Sequence, residues 1–327
     1  VKRRPPKLTA TSALELQDEL ARYWRTKLGS GYFEGWQGAR QRDGMGRMLF
    51  PGVSRAEMEA RAMLGARTYL ISEDMLALAD HATKTMPPQG IMETDLPCPN
   101  GVMWFERGLA GPDVRGKTVV TNGMLWRRMP MNSRNGEMKM GLMWTFYSDM
   151  HDERDEYANM DEESMLPPGI PRAMPIHEDA EIFGYGERSV AEIAANLEAV
   201  DGLTPEIISD QLRTTHRLAI ALWSLIRDWA DVKETLIDRH ARHRLARAGS
   251  PIVPTVRVVR LRRPKQETRD PQPGSIEWSH RWIVSGHWRN QWYASIQARR
   301  LKWIAPFVKG PADKPLVVQR TVHHLVR

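Results

Sequence analysis

Thr118-Val119-Val120-Thr121-Asn122-Gly123-Met124-Leu125-Trp126-Arg127-Arg128 is the stretch from which the architecture is read. Its two ends, Thr118–Thr121 and Met124–Arg128, read as strands. Asn122-Gly123 between them is the dipeptide favoured in a two-residue hairpin turn, where both turn positions need a positive φ. Val102-Met103-Trp104-Phe105-Glu106 before it and Leu142-Met143-Trp144-Thr145-Phe146-Tyr147 after it read as further strands. Gly, Pro, Asn and Asp separate these runs, so the spacing predicts a small antiparallel sheet.

Upstream of the sheet the pattern is helical. Thr11 or Ser12 begins a helix with an apolar stripe through Leu14, Leu16, Leu20, Tyr23, Trp24 and Leu28, which Gly29 ends. Residues 29–52 are glycine-rich and read as loop. Ser54 caps a helix from Arg55 to about Gly65, and Ser72 caps another from Glu73 to Thr85, stopped by Pro87-Pro88. Downstream, residues 149–181 are acidic and proline-bearing, which predicts an exposed loop or lid. Thr204-Pro205 opens a long helix, or two helices broken near Asp231. Its continuation Arg239–Arg247 ends at Gly249. Thr255–Arg262, Ser279–Val284, Leu301–Val308 and Leu316–Leu325 read as four strands. The expected fold is α+β in two parts. Residues 1–188 form N-terminal helices with a small antiparallel sheet, and residues 189–327 form a long helix packed on a basic, mostly antiparallel four-stranded sheet.

The chain has 327 residues, 41% hydrophobic and 27% charged, which suits a globular protein of about two domains. No run of about 18 apolar residues occurs, so no membrane span is expected. Val1-Lys2-Arg3-Arg4-Pro5-Pro6-Lys7 has no apolar core and does not read as a signal peptide. Cys98 is the one cysteine, which excludes an intrachain disulfide and a multi-cysteine zinc site and fits a reducing cytoplasm. His280 and His287 stand seven apart and His323-His324 are adjacent, neither a ligand spacing, so no metal is expected. No cofactor is expected either. Gly111-Pro112-Asp113-Val114-Arg115-Gly116-Lys117-Thr118 matches the phosphate-loop spacing by letter, but a strand rather than a helix is read after it.

Charge is distributed unevenly. From Arg239 to the end there are 19 Lys/Arg against 4 Asp/Glu, net +15, whereas residues 1–238 hold 28 against 36, net −8. A basic, aromatic-rich module is the usual composition of a nucleic-acid contact surface. Arg242, Arg244, Arg247, Arg257, Arg260, Arg262, Arg263 and Lys309 are the candidate phosphate contacts. Trp288, Gln291 and Trp292 are the candidate base contacts. On a strand, His287, Arg289, Gln291 and Tyr293 alternate with Trp288, Asn290 and Trp292. One side then offers imidazole, guanidinium, amide and phenol together, a set able to hold a phosphate and move protons near neutral pH. An enzymatic form of this reading is metal-independent cleavage of RNA. His287 would be the general acid/base and His280 the second proton-transfer group. Arg289, with Lys302 or Lys309, would stabilise charge, and Tyr293 or Gln291 would position the phosphate.

Gly286-His287-Trp288-Arg289-Asn290-Gln291-Trp292-Tyr293, followed by Trp303-Ile304-Ala305-Pro306 and Lys309-Gly310-Pro311, resembles the ending of a group of proteins without assigned activity from actinobacteria and their phages and plasmids. Arg242–Gly249 with Val256–Arg263 is similar to the same group. The resemblance implies an actinobacterial or mobile-element origin and no particular chemistry. The order of elements also resembles RelE- and barnase-like ribonucleases in architecture, with no motif shared residue by residue. The expected partner is nucleic acid, RNA foremost or single-stranded DNA, with no membrane contact. The alternative is an interaction or scaffold protein of a mobile element, whose basic third meets the acidic 149–181 segment or an acidic protein partner.

Overall fold

Val102, Met103, Trp104 and Phe105 are all fully buried, so their strand has no solvent face. A half-exposed strand alternates apolar with polar residues; one buried on both sides does not. Here the alternation divides the residues between two cores. Val102 and Trp104 pack in one, Met103 and Phe105 in the other. A sheet of this kind has to be covered on both faces, and the helices of the chain supply the two covers.

The structure is a computed structural model. It describes residues 7–40, 54–87, 90–112, 116–132, 137–149, 152–156, 171, 173–183, 205–261, 279, 281–284, 286–304, 307–309 and 316–317. Its centre is a seven-stranded sheet of β1 (Arg67–Ile71), β2 (Asn100–Pro112), β3 (Thr118–Asn132), β4 (Met138–Asp149), β5 (Ala173–Ile182), β6 (Ala230–Leu236) and β7 (Thr255–Leu261), in the order β5-β4-β3-β2-β1-β7-β6. β1 runs parallel to β2 and to β7; the other neighbours are antiparallel. One face packs against α1 (Ala10–Trp24), α2 (Lys27–Arg40), α3 (Arg55–Gly65) and α6 (Arg239–Arg247). The other packs against α4 (Glu73–Thr83) and α5 (Pro205–Asp228). The α+β class therefore holds. Among the described residues no helix is long and apolar enough to cross a membrane.

Several local expectations change. Thr118–Asn132 is one strand, not a hairpin. Gly123 does not have the positive φ that an Asn-Gly turn requires. The β4 partners step from Thr121↔Ser148 to Gly123↔Tyr147, so Asn122 is the extra residue of a bulge. A Cβ on Gly123 would run into the Trp104 ring and lie 2.8 Å from the Met103 carbonyl oxygen, and this closeness is the reason for glycine. The glycine-rich stretch after Trp24 is helical through Arg40. Thr26 separates it from α1, donating to the Tyr23 carbonyl (2.7 Å) and accepting from the Gly29 N–H (3.0 Å). Phe33 is fully buried against Trp24, their rings 5.2 Å apart, and this packing overrides the poor helix propensity of glycine. α1 begins earlier than expected, with Thr9 as its cap and Ser12 reciprocating.

Residues 230–236 form an edge strand rather than a helix. α5 stops at Asp228, and Ala230–Leu236 pairs along its whole length with β7. The acidic segment is not simply a loop. Asp149, Asp152 and Asp155 are buried, and Asp155 accepts hydrogen bonds from the Val120 N–H (2.8 Å) and the Ser148 hydroxyl (2.7 Å). Residues 173–182 add strand β5. Among the described residues, the expected four-stranded basic sheet does not form as one sheet. Thr255–Leu261 joins the central sheet beside β1. β8 (Arg281–Val284), β11 (Phe307–Lys309) and β12 (Leu316–Val317) make a separate three-stranded sheet, and β9 (His287–Tyr293) and β10 (Ala298–Ile304) make a two-stranded one. Val256, Val258 and Val259 are buried, so β7 has to lie in the core, where neither a basic nor a solvent-facing sheet can take it. The central sheet thus crosses the expected division at residue 188.

Buried polar groups are paired across layers. Glu59 of α3 accepts from the Arg127 guanidinium and from the Tyr147 hydroxyl (2.5 Å). Gln17 of α1 donates to the Met63 carbonyl (2.6 Å) and accepts from the Thr68 hydroxyl (2.6 Å). Removing one partner of such a pair leaves the other desolvated, which is the costly case. The bulge carries the clearest stability test. Gly123→Ala is expected to lower unfolding free energy by about 1–3 kcal/mol, the cost of overpacking a filled site. Urea unfolding should show this as a lower midpoint with an unchanged slope.

Candidate functional site

Strand alternation puts bulky aromatics of the β9–β10 hairpin against the protein body. Trp303 is fully buried, and the Trp288 ring lies 5.2 Å from it. The Trp288 indole N–H donates to the Ala82 carbonyl at the end of α4 (2.8 Å). From the end of α5, the Trp229 indole N–H donates to the Trp303 carbonyl (2.7 Å) and the Arg227 guanidinium to the Leu301 carbonyl (3.1 Å). Arg227 also stands 3.5 Å from Asp95. Burial pushes the Asp95 carboxyl above the usual aspartate range, against the downward pull of the Met92 N–H, Arg227 and Arg300. These anchors lie 74 residues or more from the hairpin in sequence. No local pattern marks Asp95, Arg227 or Trp229, and the sequence reading missed them.

The register then fixes what the hairpin presents. Lys302 is directly opposite Arg289, Arg300 opposite Gln291, Arg299 opposite Trp292, and Ile304 opposite His287. His287, Arg289 and Arg299 are exposed; Gln291, Tyr293, Arg300 and Lys302 are half-buried. Trp292 is 47% exposed, a large value for an indole on a packed hairpin. Residues 287–304 contain four Arg/Lys and no Asp or Glu. Among the described residues, Arg289, Arg299 and Lys302 make no ion pair.

The other basic candidates lie elsewhere. α6 buries Ala241 and Leu245 on the α1 side of the sheet, whereas the hairpin packs on the α4 and α5 side. Among the described residues, α6 and the hairpin therefore lie on opposite faces rather than in one module. Arg244 pairs with Glu15 of α1, and Arg247 is exposed beside it; Arg242 is half-buried. Arg257 pairs with Glu234 (3.0 Å) and lies 5.9 Å from the Tyr69 ring centroid, and Arg260 is exposed on β7. Lys309 belongs to β11, paired with Trp282 in the separate three-stranded sheet. His280, Arg262 and Arg263 fall outside the described residues. The second proton-transfer group of the ribonuclease reading is therefore among the residues not described.

β5 is one edge of the central sheet and β7 lies next to the other edge, five strand spacings or roughly 24 Å away. Among the described residues, Arg244 meets Glu15 of α1, Arg257 meets Glu234 of β6, and Arg300 acts on Asp95. Gly111–Thr118 is the connection between antiparallel β2 and β3, with Pro112 opposite Thr118, so the helix that a phosphate loop needs is not there. Cys98 is a packed thiol, its pKa raised by burial, donating to the Asn100 carbonyl (3.2 Å). Among the described residues no group of three or more His, Cys, Asp or Glu is arranged to hold a metal.

No family model matches the chain, and no curated protein does. Among solved structures the chain is similar to the crystal structure of AcrVA2, at 13% identity, over 91% of this chain and 96% of that one, with a TM-score of 0.32. Likeness at that score is too slight to transfer a fold or a role.

Asp95 beneath the hairpin makes the pH behaviour testable. Its folded pKa lies above its unfolded value, so the fold binds more protons there. That contribution is full below the unfolded pKa and is lost as pH rises through the folded one. Stability of the wild type should therefore fall relative to Asp95→Asn as pH climbs from the ordinary aspartate range, about 3.9, upward. Chemical denaturation at stepped pH reads the difference; a rise instead would show that Arg227 and Arg300 outweigh burial.

Proposed function

We propose that the chain binds single-stranded nucleic acid, RNA foremost, around the β9–β10 hairpin. The observation that carries this is Arg289 directly across from Lys302 on one face of a hairpin with no acid, with a half-exposed Trp292 across from Arg299 on the other face, next to the turn at 294–296. Directly opposite side chains on antiparallel strands have Cβ atoms about 4.5–5.5 Å apart, and like charges there destabilise the pair. A phosphate between the two cations reverses the sign of that interaction. Trp292 supplies a flat apolar surface for an unpaired base, with Arg299 across from it. His287, Gln291 and Tyr293 add hydrogen-bond donors along the same strand. The anchoring tryptophans Trp288 and Trp303 hold the surface rigid, so little ordering cost falls on binding.

The hairpin is taken to be open to a ligand rather than closed by the acidic segment. Fluorescence anisotropy with a labelled oligonucleotide tests it. Affinity should fall with salt at a slope of about −0.7 per phosphate neutralised, and Arg289→Gln with Lys302→Gln should flatten the slope by about 1.4. Trp292→Ser should cost about 1–3 kcal/mol per stacked base. Equal binding by wild type and the combined variant, or no binding at low salt, rules the reading out.

A further inference from the structure

The nine residues of α6 read Arg-His-Ala-Arg-His-Arg-Leu-Ala-Arg, with no acid and no aromatic ring other than imidazole. Only Ala241 and Leu245 turn fully inward, against α1. Arg239, His240, His243, Arg244 and Arg247 are exposed. The side chains are drawn together rather than spread. The Arg239 Nε donates to His243 Nε2 (3.4 Å), and the Arg247 Nε donates to the His243 carbonyl (3.4 Å). Glu15 of α1 takes Arg244, and the Asp238 carboxylate is used as the helix cap, accepting from the Ala241 N–H (2.9 Å) and the Thr11 hydroxyl (2.9 Å).

Arg244 and Arg247 lie in the last turn, where the helix dipole favours cations. Arg239 does not. It is the first helical residue after the Asp238 cap, at the positive end of the dipole, where folding alone favours an acid. The Asp238 carboxylate beside it is taken up by the cap and by Thr11, so Arg239 adds a cation that the helix itself does not call for.

We infer that α6 is a second polyanion surface, one that takes the sugar–phosphate backbone of a duplex, so that the ligand of this chain carries a duplex beside unpaired bases. This rests on the reading of the hairpin given above and assigns the ligand class. The chemistry of the two surfaces separates their targets. The hairpin has an exposed indole and needs an unpaired base. α6 offers guanidinium and imidazole without an indole or phenol, a set whose contacts to nucleic acid go mostly to phosphate and sugar. A duplex supplies phosphate at one charge per about 1.7 Å of axis, denser than a single strand. The fold also puts the two surfaces within reach of one ligand. Trp229, bonded to the hairpin, directly precedes β6, and α6 begins within three residues of the end of β6. That strand has seven residues and spans roughly 20 Å. The two surfaces thus flank opposite ends of one exposed edge strand.

The test uses the full chain, with anisotropy measured on a single-stranded oligonucleotide, a blunt duplex and a duplex with a single-stranded tail. The variant is Arg239→Glu with His240→Glu, both in the first turn, where acids suit the helix. Its melting temperature should equal or exceed that of the wild type, so lost binding cannot be ascribed to misfolding. The wild type is expected to bind the tailed duplex at least about tenfold more tightly than the single strand. The variant should lose that gain and blunt-duplex binding by about tenfold while its single-strand affinity stays within about twofold. Equal wild-type affinity for tailed duplex and single strand overturns the inference. So does a variant that weakens both alike, or poly-glutamate bound through α6 as tightly as duplex at the same salt. Failure of single-strand binding with α6-dependent duplex binding intact removes the hairpin reading and leaves α6 as the nucleic-acid surface.

Discussion

Burial of β2 on both faces is the constraint from which the other layers follow. Four consecutive residues, Val102 to Phe105, are fully buried and divide between two cores. Trp104 packs near Tyr147 on one side, while Trp126 packs against Tyr69 and Trp223 on the other. Each tryptophan removes a large apolar area from water only if a helix lies over it. α1 and α3 have to close one face, and α4 and α5 the other. The long α5 thereby becomes an internal element rather than the backbone of a separate basic domain.

Polar groups inside these layers fix how the covers sit. Hydrophobic contact tolerates sliding; a buried hydrogen-bonded charge does not. Glu59, held by Arg127 and Tyr147, ties α3 to the sheet, as Gln17 and Thr68 tie α1 to β1. Asp155 performs a similar task at the Val120–Ser148 corner. These are the carboxylates and amides that a charge count assigns to the solvent, and they are spent on the interior instead.

What remains outside is the basic surface. The hairpin sits on the α4–α5 layer through Trp288, Trp303, Trp229 and Arg227, and α6 on the opposite layer through Ala241 and Leu245. One sequence run of positive charge becomes two surfaces of different chemistry. The hairpin pairs cations with an exposed indole, and the helix carries cations and imidazoles alone. The edge strand β6 links them.

Local signals decided much of this molecule. Ser54 and Ser72 cap the helices that the sequence places there, because capping involves only residues three apart. A strand at His287–Tyr293 was legible for the same reason, although its burial does not alternate regularly. Asn122-Gly123 misled: its turn preference is real but weak, and the Trp104 ring across the strand outweighs it. Glycines after Gly29 misled likewise, since Phe33 finds Trp24 only in the folded chain. Tertiary structure alone decided that β7 enters the central sheet, that Asp149, Asp152 and Asp155 are inside, and that α6 and the hairpin face opposite ways. Strand order and layer membership depend on contacts between residues far apart in the chain, and no periodicity within a segment carries that information.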